Sequence, residues 1–397
     1  PIPHMHLVLI TRRDPPLPLS LLRARLMVAE VRVRDLQFSA DEIAVFMQKG
    51  LGLSLPDAVI AGLLRRTEGW ITSLRLVALA LRSSDDTDDT DEIDNRLSAL
   101  QGVGQNRYVT DYLMSEVFSQ ASPEMQDFLL RTSILERMNA ALCNTVLERE
   151  ASDVESQSNL EWLERNNLFT ISMDSEQRWY RYHHLLQSFL RNQLKRRYGV
   201  DEVARLHARA SVWFAAQDLL EDALLHALRG KDMPAAVRLV SEHRHALMDR
   251  EQWQLHNRAL RLFPSEAVAA YPDLTIMMAW RSRLGRSDLT YMATLLERAE
   301  ALVALMVDQP DLAAQLRSEI DTLRMTVAVE MADDPESVLE LGKQVLATVP
   351  RGRYYVRAVA WLWLAVAYQM VGKLDQAYAA LAEGQVEDMA PDGTVRG

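Results

Sequence analysis

Apolar positions recur at steps of three and four along most of this chain, the period of a helix packed on one face. Two stretches break that rhythm. The first lies near the start, where Leu7-Val8-Leu9-Ile10 is an unbroken apolar run between His6 and Thr11. A run this short suits a strand buried on both faces, as in a parallel sheet. A strand alone leaves its N–H and C=O groups without partners, so this reading expects neighbouring strands from upstream of Pro1. Met27 to Val33 reads as a second extended piece, reached through a proline-rich turn at Pro15-Pro16 and a basic helix over Ser20–Arg25. Helices follow. Ser39 with Glu42 three residues on spells a capping box, Pro56 sits in the first turn of a second helix, and a third runs from Trp70 to Leu81.

The second break is in the middle. Leu168 to Met173 alternates like a strand, Asp174-Ser175 turns, and Arg178 to Tyr182 returns. Ahead of it lie a helix start at Ser122-Pro123-Glu124 and a helix over Leu160–Arg165. Helix, helix, hairpin, helix is the plan of a winged helix. From Asp201 onward the pattern is helical throughout, with Arg351-Gly352-Arg353 and Gly372-Lys373-Leu374 separating antiparallel pairs. Trp361, Leu364, Ala365, Tyr368, Gly372, Ala377 and Leu381 fit the tetratricopeptide spacing. Leu206, Ala210, Trp213 and Ala223 fit it more loosely, and 235–262 and 291–345 read as degenerate copies. Stacked helix pairs predict a curved solenoid with a concave face. The expected fold is therefore mainly α, in four parts. Residues 1–35 are the residual edge of an α/β domain, and 36–94 a helical arm with a linker. Residues 95–200 are a winged helix with a small β-hairpin, and 201–397 a tetratricopeptide-like α-solenoid.

Composition narrows the function. The chain is 48% hydrophobic and 25% charged, ordinary for a globular polypeptide. Its 44 basic and 55 acidic residues leave a net charge of −11, which argues against the chain itself being a nucleic-acid surface. The helix over Leu160–Asn167 agrees, since it holds two glutamates and one arginine where phosphate contact needs cations. Ser83 to Asp91 is an acidic low-complexity run expected to be a linker. The longest apolar stretches carry Arg or Gln and fall short of a membrane span, so no membrane partner is expected. The single cysteine, Cys143, reads as a small packed hydrophobe and suits the reducing cytoplasm.

The chemistry-bearing residues are few. No GxxxxGK(S/T), HExxH, paired-Cys or GxSxG pattern is present, so an independent enzyme has no support. Arg12 follows the first apolar run, at the sheet edge where open α/β folds bind ligands. It could grip a phosphate through its fork or, equally, cap the edge or pair with Asp14. Tyr182-His183-His184 puts two histidines about 100° apart on a helix, so they cannot share one metal ion. One would face a ligand or an interface while the other packs. His207, His226, His243, His245 and His256 read as ordinary polar residues on helix surfaces. Trp213-Phe214, Trp280, Trp361 and Trp363 read as repeat core.

Several of these segments together resemble a known family. His6-Leu-Val-Leu-Ile-Thr-Arg-Arg-Asp-Pro-Pro is similar to the sensor-1 strand of the MalT-like ATP-dependent regulators of the LuxR family, signal-transduction ATPases of the STAND class. Thr67-Glu68-Gly69-Trp70-Ile71 resembles their T-E-G-W segment. Asp127 to Leu135 and Arg178 to Leu186 resemble their winged-helix signatures. The resemblance implies a nucleotide-switched, inducer-sensing transcriptional activator built from an ATPase domain, a winged helix, a superhelical sensor and a carboxyl-terminal DNA-binding domain. It makes residues 1–35 the remnant of the nucleotide-binding domain. It implies that Arg12 senses the terminal phosphate, that Gly69 lies near the adenine and that His183 touches the ADP phosphates. ATP or ADP would be the cofactor of the intact protein, with none expected on this chain, which has no Walker A pattern. Implied partners are a small-molecule inducer or regulatory protein on the solenoid, further copies of the intact protein, and DNA through a domain absent from this chain. The alternative is a stand-alone helical-repeat scaffold for a protein partner.

Overall fold

The computed structural model describes residues 7–11, 15, 17–75, 110–111, 113–150, 154–166, 168–174, 176–284, 289–331 and 334–388. The chain divides into two compact units, Pro1–Ala210 and Ser211–Gly397. Helices dominate both. No helix among the described residues is long and apolar enough to cross a membrane.

The opening of the first unit differs from the sequence reading. Leu7–Thr11 form no strand among the described residues, and Ile10 is 97% exposed. Extended backbone is stable only when a neighbouring strand takes its hydrogen bonds, and the described residues supply none. The second expected strand is absent for the same reason. Residues 27–32 are irregular and lead into a 3-10 turn, Val33–Leu36, where Asp35 Oδ2 accepts the Arg32 N–H at 2.8 Å. The basic helix is α1, Leu19–Ala24.

The arm forms as its capping residues dictate. α2, Ala40–Leu51, begins at Ser39, whose hydroxyl and backbone exchange bonds with Glu42 as a complete capping box, and ends at left-handed Gly52. α3, Asp57–Thr67, starts after Pro56, which is its cap rather than a residue of its first turn. Ile43, Met47, Ile60 and Leu63 are buried between them. Of the third expected helix, 71–75 are helical and the rest lies outside the described residues, as does the acidic run from Ser83 to Asp91.

The winged helix follows. Ser122 caps α4, Pro123–Thr132, and Asn139 caps α5, Ala140–Val146, each accepting a backbone N–H three residues on. Cys143 is fully buried on α5, and burial pushes its thiol far up. α6, Glu155–Arg165, precedes β1, Thr170–Ser172, and β2, Tyr180–Tyr182, which pair antiparallel with Thr170 opposite Tyr182. Met138 bridges to Tyr180 on the other edge. Tyr182 is buried and bonds Thr132 through hydroxyls 2.8 Å apart. α7, His184–Ala216, is interrupted at Gly199, whose φ of +76° no helical residue adopts.

The second unit stacks antiparallel helices. They are α8 (Leu220–Arg229), α9 (Met233–Asp249), α10 (Trp253–Arg261), α11 (Ser265–Ala270) and α12 (Pro272–Leu284). α13 (Leu289–Ala304), α14 (Pro310–Glu330), α15 (Pro335–Thr348), α16 (Tyr354–Met370) and α17 (Leu374–Asp388) complete the set. Small residues bring α16 and α17 together: Ala365, Ala377 and Ala380 are buried, and a Cβ on Gly384 would lie 2.9 Å from that of Trp361. Leu381, by contrast, is 41% exposed.

The histidines correct the sequence reading most sharply. His207, His226, His245 and His256 are buried, not superficial, and only His243 of that group is half-buried. His245 belongs to a charged network in the core. The Arg244 guanidinium donates twice to the Glu319 carboxylate, at 2.5 and 2.8 Å, and His245 Nε2 donates to it at 2.6 Å. Asp273 lies 3.6 Å from Arg244 Nε and accepts the Ser241 hydroxyl at 2.6 Å. Burial alone would raise the Glu319 pKa, but Arg244 and His245 hold it far below the carboxylate range. Helices α9, α12 and α14 are thereby tied by charge as well as by apolar contact. Glu319→Ala should cost about 3–5 kcal/mol by stripping the buried Arg244 of both its hydrogen bonds to carboxylate, with Asp273 at 3.6 Å its one remaining counter-charge among the described residues. The double change Arg244→Met with Glu319→Leu should cost far less. Urea unfolding of the three proteins checks this, and equal losses would contradict it.

Candidate functional site

The turn after α3 carries the chemistry of the first unit. Thr67 closes the helix with its hydroxyl bonded to the Leu63 carbonyl at 2.8 Å. Glu68 and Gly69 then both turn left-handed, at φ +49° and +71°. Gly69 has no alternative. Its carbonyl accepts the Phe38 N–H at 2.8 Å, and a Cβ at this position would fall 2.4 Å from the Phe38 oxygen. Trp70 follows and points its ring into the winged helix, 4.7 Å from Phe169 and 6.2 Å from His183, edge-on to both.

The opposite wall is the hairpin and the first turn of α7. His183 is 6% exposed. Its Nε2–H donates to the Thr67 carbonyl at 3.1 Å, because a carbonyl oxygen only accepts. Nδ1 is then bare and accepts the Leu185 N–H at 3.3 Å, capping α7. These two contacts fix one neutral tautomer. Burial lowers the His183 pKa, against an opposing pull from the Glu68 charge and the Thr67 carbonyl. Beside it, the Arg181 guanidinium donates to both Glu68 oxygens, at 2.8 and 2.9 Å. Glu68 also accepts the His184 N–H at 3.3 Å, which puts a carboxylate at the amino end of α7. Burial would raise the Glu68 pKa, but the Arg181 guanidinium and this N–H bring it below the usual range.

The structure thus brings Gly69 and His183 to one place, while Arg12 lies outside the described residues. Of the paired histidines, His183 packs at the contact and His184 is exposed. Glu68, Arg181 and Phe169 complete the site without having been singled out. Opposite charges 113 residues apart give no periodic signal, so only the fold pairs them. Phe169 sits at φ +54°, so two non-glycine left-handed residues, Glu68 and Phe169, flank Trp70. Each costs about 1 kcal/mol. The arrangement holds one segment against another. Among the described residues no group of three or more His, Cys, Asp or Glu is placed to take a metal ion.

This winged helix is of a defined kind: the family described as the MalT winged helix domain matches residues 114–202, spanning α4 to α6, the hairpin and the start of α7. Beyond it, similarity to MalT regulators extends along nearly the whole chain. It is 30% identical over 389 residues, 98% of the chain, to the HTH-type transcriptional regulator MalT of Yersinia enterocolitica and to that of Serratia proteamaculans. It is also 30% identical, over 90% of its length, to the protein of that name from Cronobacter sakazakii. The chain spans 41% of the length of the first two relatives and 38% of the third. The crystal structure of a STAND protein with a tetratricopeptide repeat sensor from Pyrococcus horikoshii matches at TM-score 0.46 and 14% identity, over 89% of this chain and 56% of that one.

Two outcomes follow from the geometry. Gly69→Ala should destabilise the first unit by about 2–4 kcal/mol, through left-handed strain plus collision with Phe38; a thermal midpoint unchanged from wild type would contradict this. For His183, the unfolded chain takes up a proton more readily than the folded one. Its contribution is therefore complete above about pH 6.5 and is lost as pH falls toward the lowered folded value. On acidification from about pH 7.5 to 5.5, wild type should lose more stability than His183→Gln. Parallel pH profiles for the two would contradict it.

Proposed function

We propose that this chain is the regulatory part of a MalT-type transcriptional regulator, switched by adenine nucleotide and responsive to an inducer. One observation carries the reading. In a chain that aligns with MalT regulators along 98% of its length, the Thr67–Trp70 turn and the Tyr182-His183-His184 string, 116 residues apart, meet through His183 and Thr67. Residues 1–35 are the edge of the nucleotide-binding domain in this reading, 36–94 the arm, 95–200 the winged helix and 201–397 the sensor. Arg12, Gly69 and His183 are the residues assigned to the nucleotide side.

In this conformation the described groups assigned to the nucleotide side are engaged within the protein. Both ring nitrogens of His183 are bonded to backbone and the Arg181 fork is bonded to Glu68. No Walker A pattern is present in the chain. In this reading ATP or ADP is a cofactor of the longer protein. The solenoid is assigned the inducer, a small molecule or a regulatory protein. Self-association and DNA binding are assigned to the longer protein, the latter through a domain outside this chain, in the cytoplasm.

The test uses the longer polypeptide that contains this chain. His183→Ala should weaken ADP binding about tenfold or more and raise transcription without inducer. Titration calorimetry with ADP and a reporter assay read the two effects. Unchanged ADP affinity together with unchanged basal transcription would overturn the reading.

A further inference from the structure

We propose that Glu68 and Arg181 form an intramolecular latch: closed, as here, it holds the arm's turn on the winged helix and keeps His183 bonded to backbone. The pair differs from an ordinary surface ion pair. Its geometry is fork to fork, at 2.8 and 2.9 Å, and its side chains are only 12% and 29% exposed. Such charge-assisted pairs are strong and directional, whereas exposed ones contribute little. The Glu68 carboxylate has a third partner in the His184 N–H, at the amino end of α7, where a helix favours negative charge. One side chain of the arm thus engages the hairpin and the following helix together.

The same residue stores a tendency to open. Glu68 is held at φ +49°, a conformation that non-glycine residues avoid. Its burial opposes its charge, as the competing influences on its pKa record. Breaking the pair would hydrate both charges and let Glu68 leave the left-handed region. The neutral bond from His183 to the Thr67 carbonyl, one residue away, would then lose its support. Released from Thr67, Nε2–H becomes a free donor. A contact held by a strong pair against local strain is the kind of element that has two discrete arrangements. The regulatory meaning of the latch rests on the nucleotide-switch reading; the latch itself does not.

Hydrogen–deuterium exchange on the full 397-residue chain, without nucleotide, tests it. Glu68→Gln and Arg181→Gln should each speed exchange in the arm helices, 40–67, and at the Leu185 amide by about tenfold. Protection of the winged-helix core, α4 to α6, should stay as in wild type. The swap Glu68→Arg with Arg181→Glu should recover part of the lost protection. Arm exchange unchanged in both single variants would overturn the proposal. So would a swap no better protected than the singles. Collapse of protection throughout α4 to α6 would overturn it too, because the pair would then be a requirement of the fold. A failure here leaves the nucleotide reading standing, and a failure of ADP binding in the longer protein leaves the latch standing.

Discussion

A buried imidazole with two nitrogens to satisfy sets the terms of the first unit. His183 meets the demand with the carbonyl of Thr67 on one side and the amide of Leu185 on the other. The first bond reaches across 116 residues and the second caps α7. The ring can do both only as the neutral tautomer protonated at Nε2. Around this bolt lie the edge-on ring of Trp70, the left-handed backbone at Glu68 and Phe169, and the close approach of Gly69 to Phe38. None of these would persist alone, since each is strained or marginal. Together they over-determine one conformation.

The second unit relies on a different device. Its helices pack through alanines, leucines and aromatic rings, as a repeat array should. Yet its centre holds Arg244, His245 and Glu319, all buried, with Asp273 beside them. Apolar faces slide past one another at little cost, whereas a forked charge pair accepts one register. Burial then pushes the nearby His256 down to about 4, with the Arg244 charge adding to the effect. Such a core holds its geometry at neutral pH and is weakened by acid.

The two devices explain what could be read from the sequence and what could not. Local rules were legible. Ser39 with Glu42, Ser122 before Pro123, and the alternation around Thr170 and Tyr180 all gave elements that the structure contains. Cys143 and Trp280 went to the core as their chemistry suggested. Leu7–Ile10 form no strand among the described residues, because an unbroken apolar run specifies burial and not a partner. The histidines were misplaced for a related reason: a polar residue on a helical period reads as surface unless its partner is known. Glu319 lies 75 residues from Arg244 and Glu68 lies 113 from Arg181. Gly69 and His183 could be marked as special from their segments, but their meeting is a property of the fold.

The protonation state of His183 is the most direct test of this account, and nitrogen-15 resonances of its ring report it. At neutral pH the account predicts a single neutral form, with Nε2 protonated and Nδ1 bare, that resists protonation below the ordinary histidine range of about 6.5. A ring that exchanges between tautomers and titrates as a free histidine would contradict it, because neither the Thr67 carbonyl nor the Leu185 amide would then be holding it.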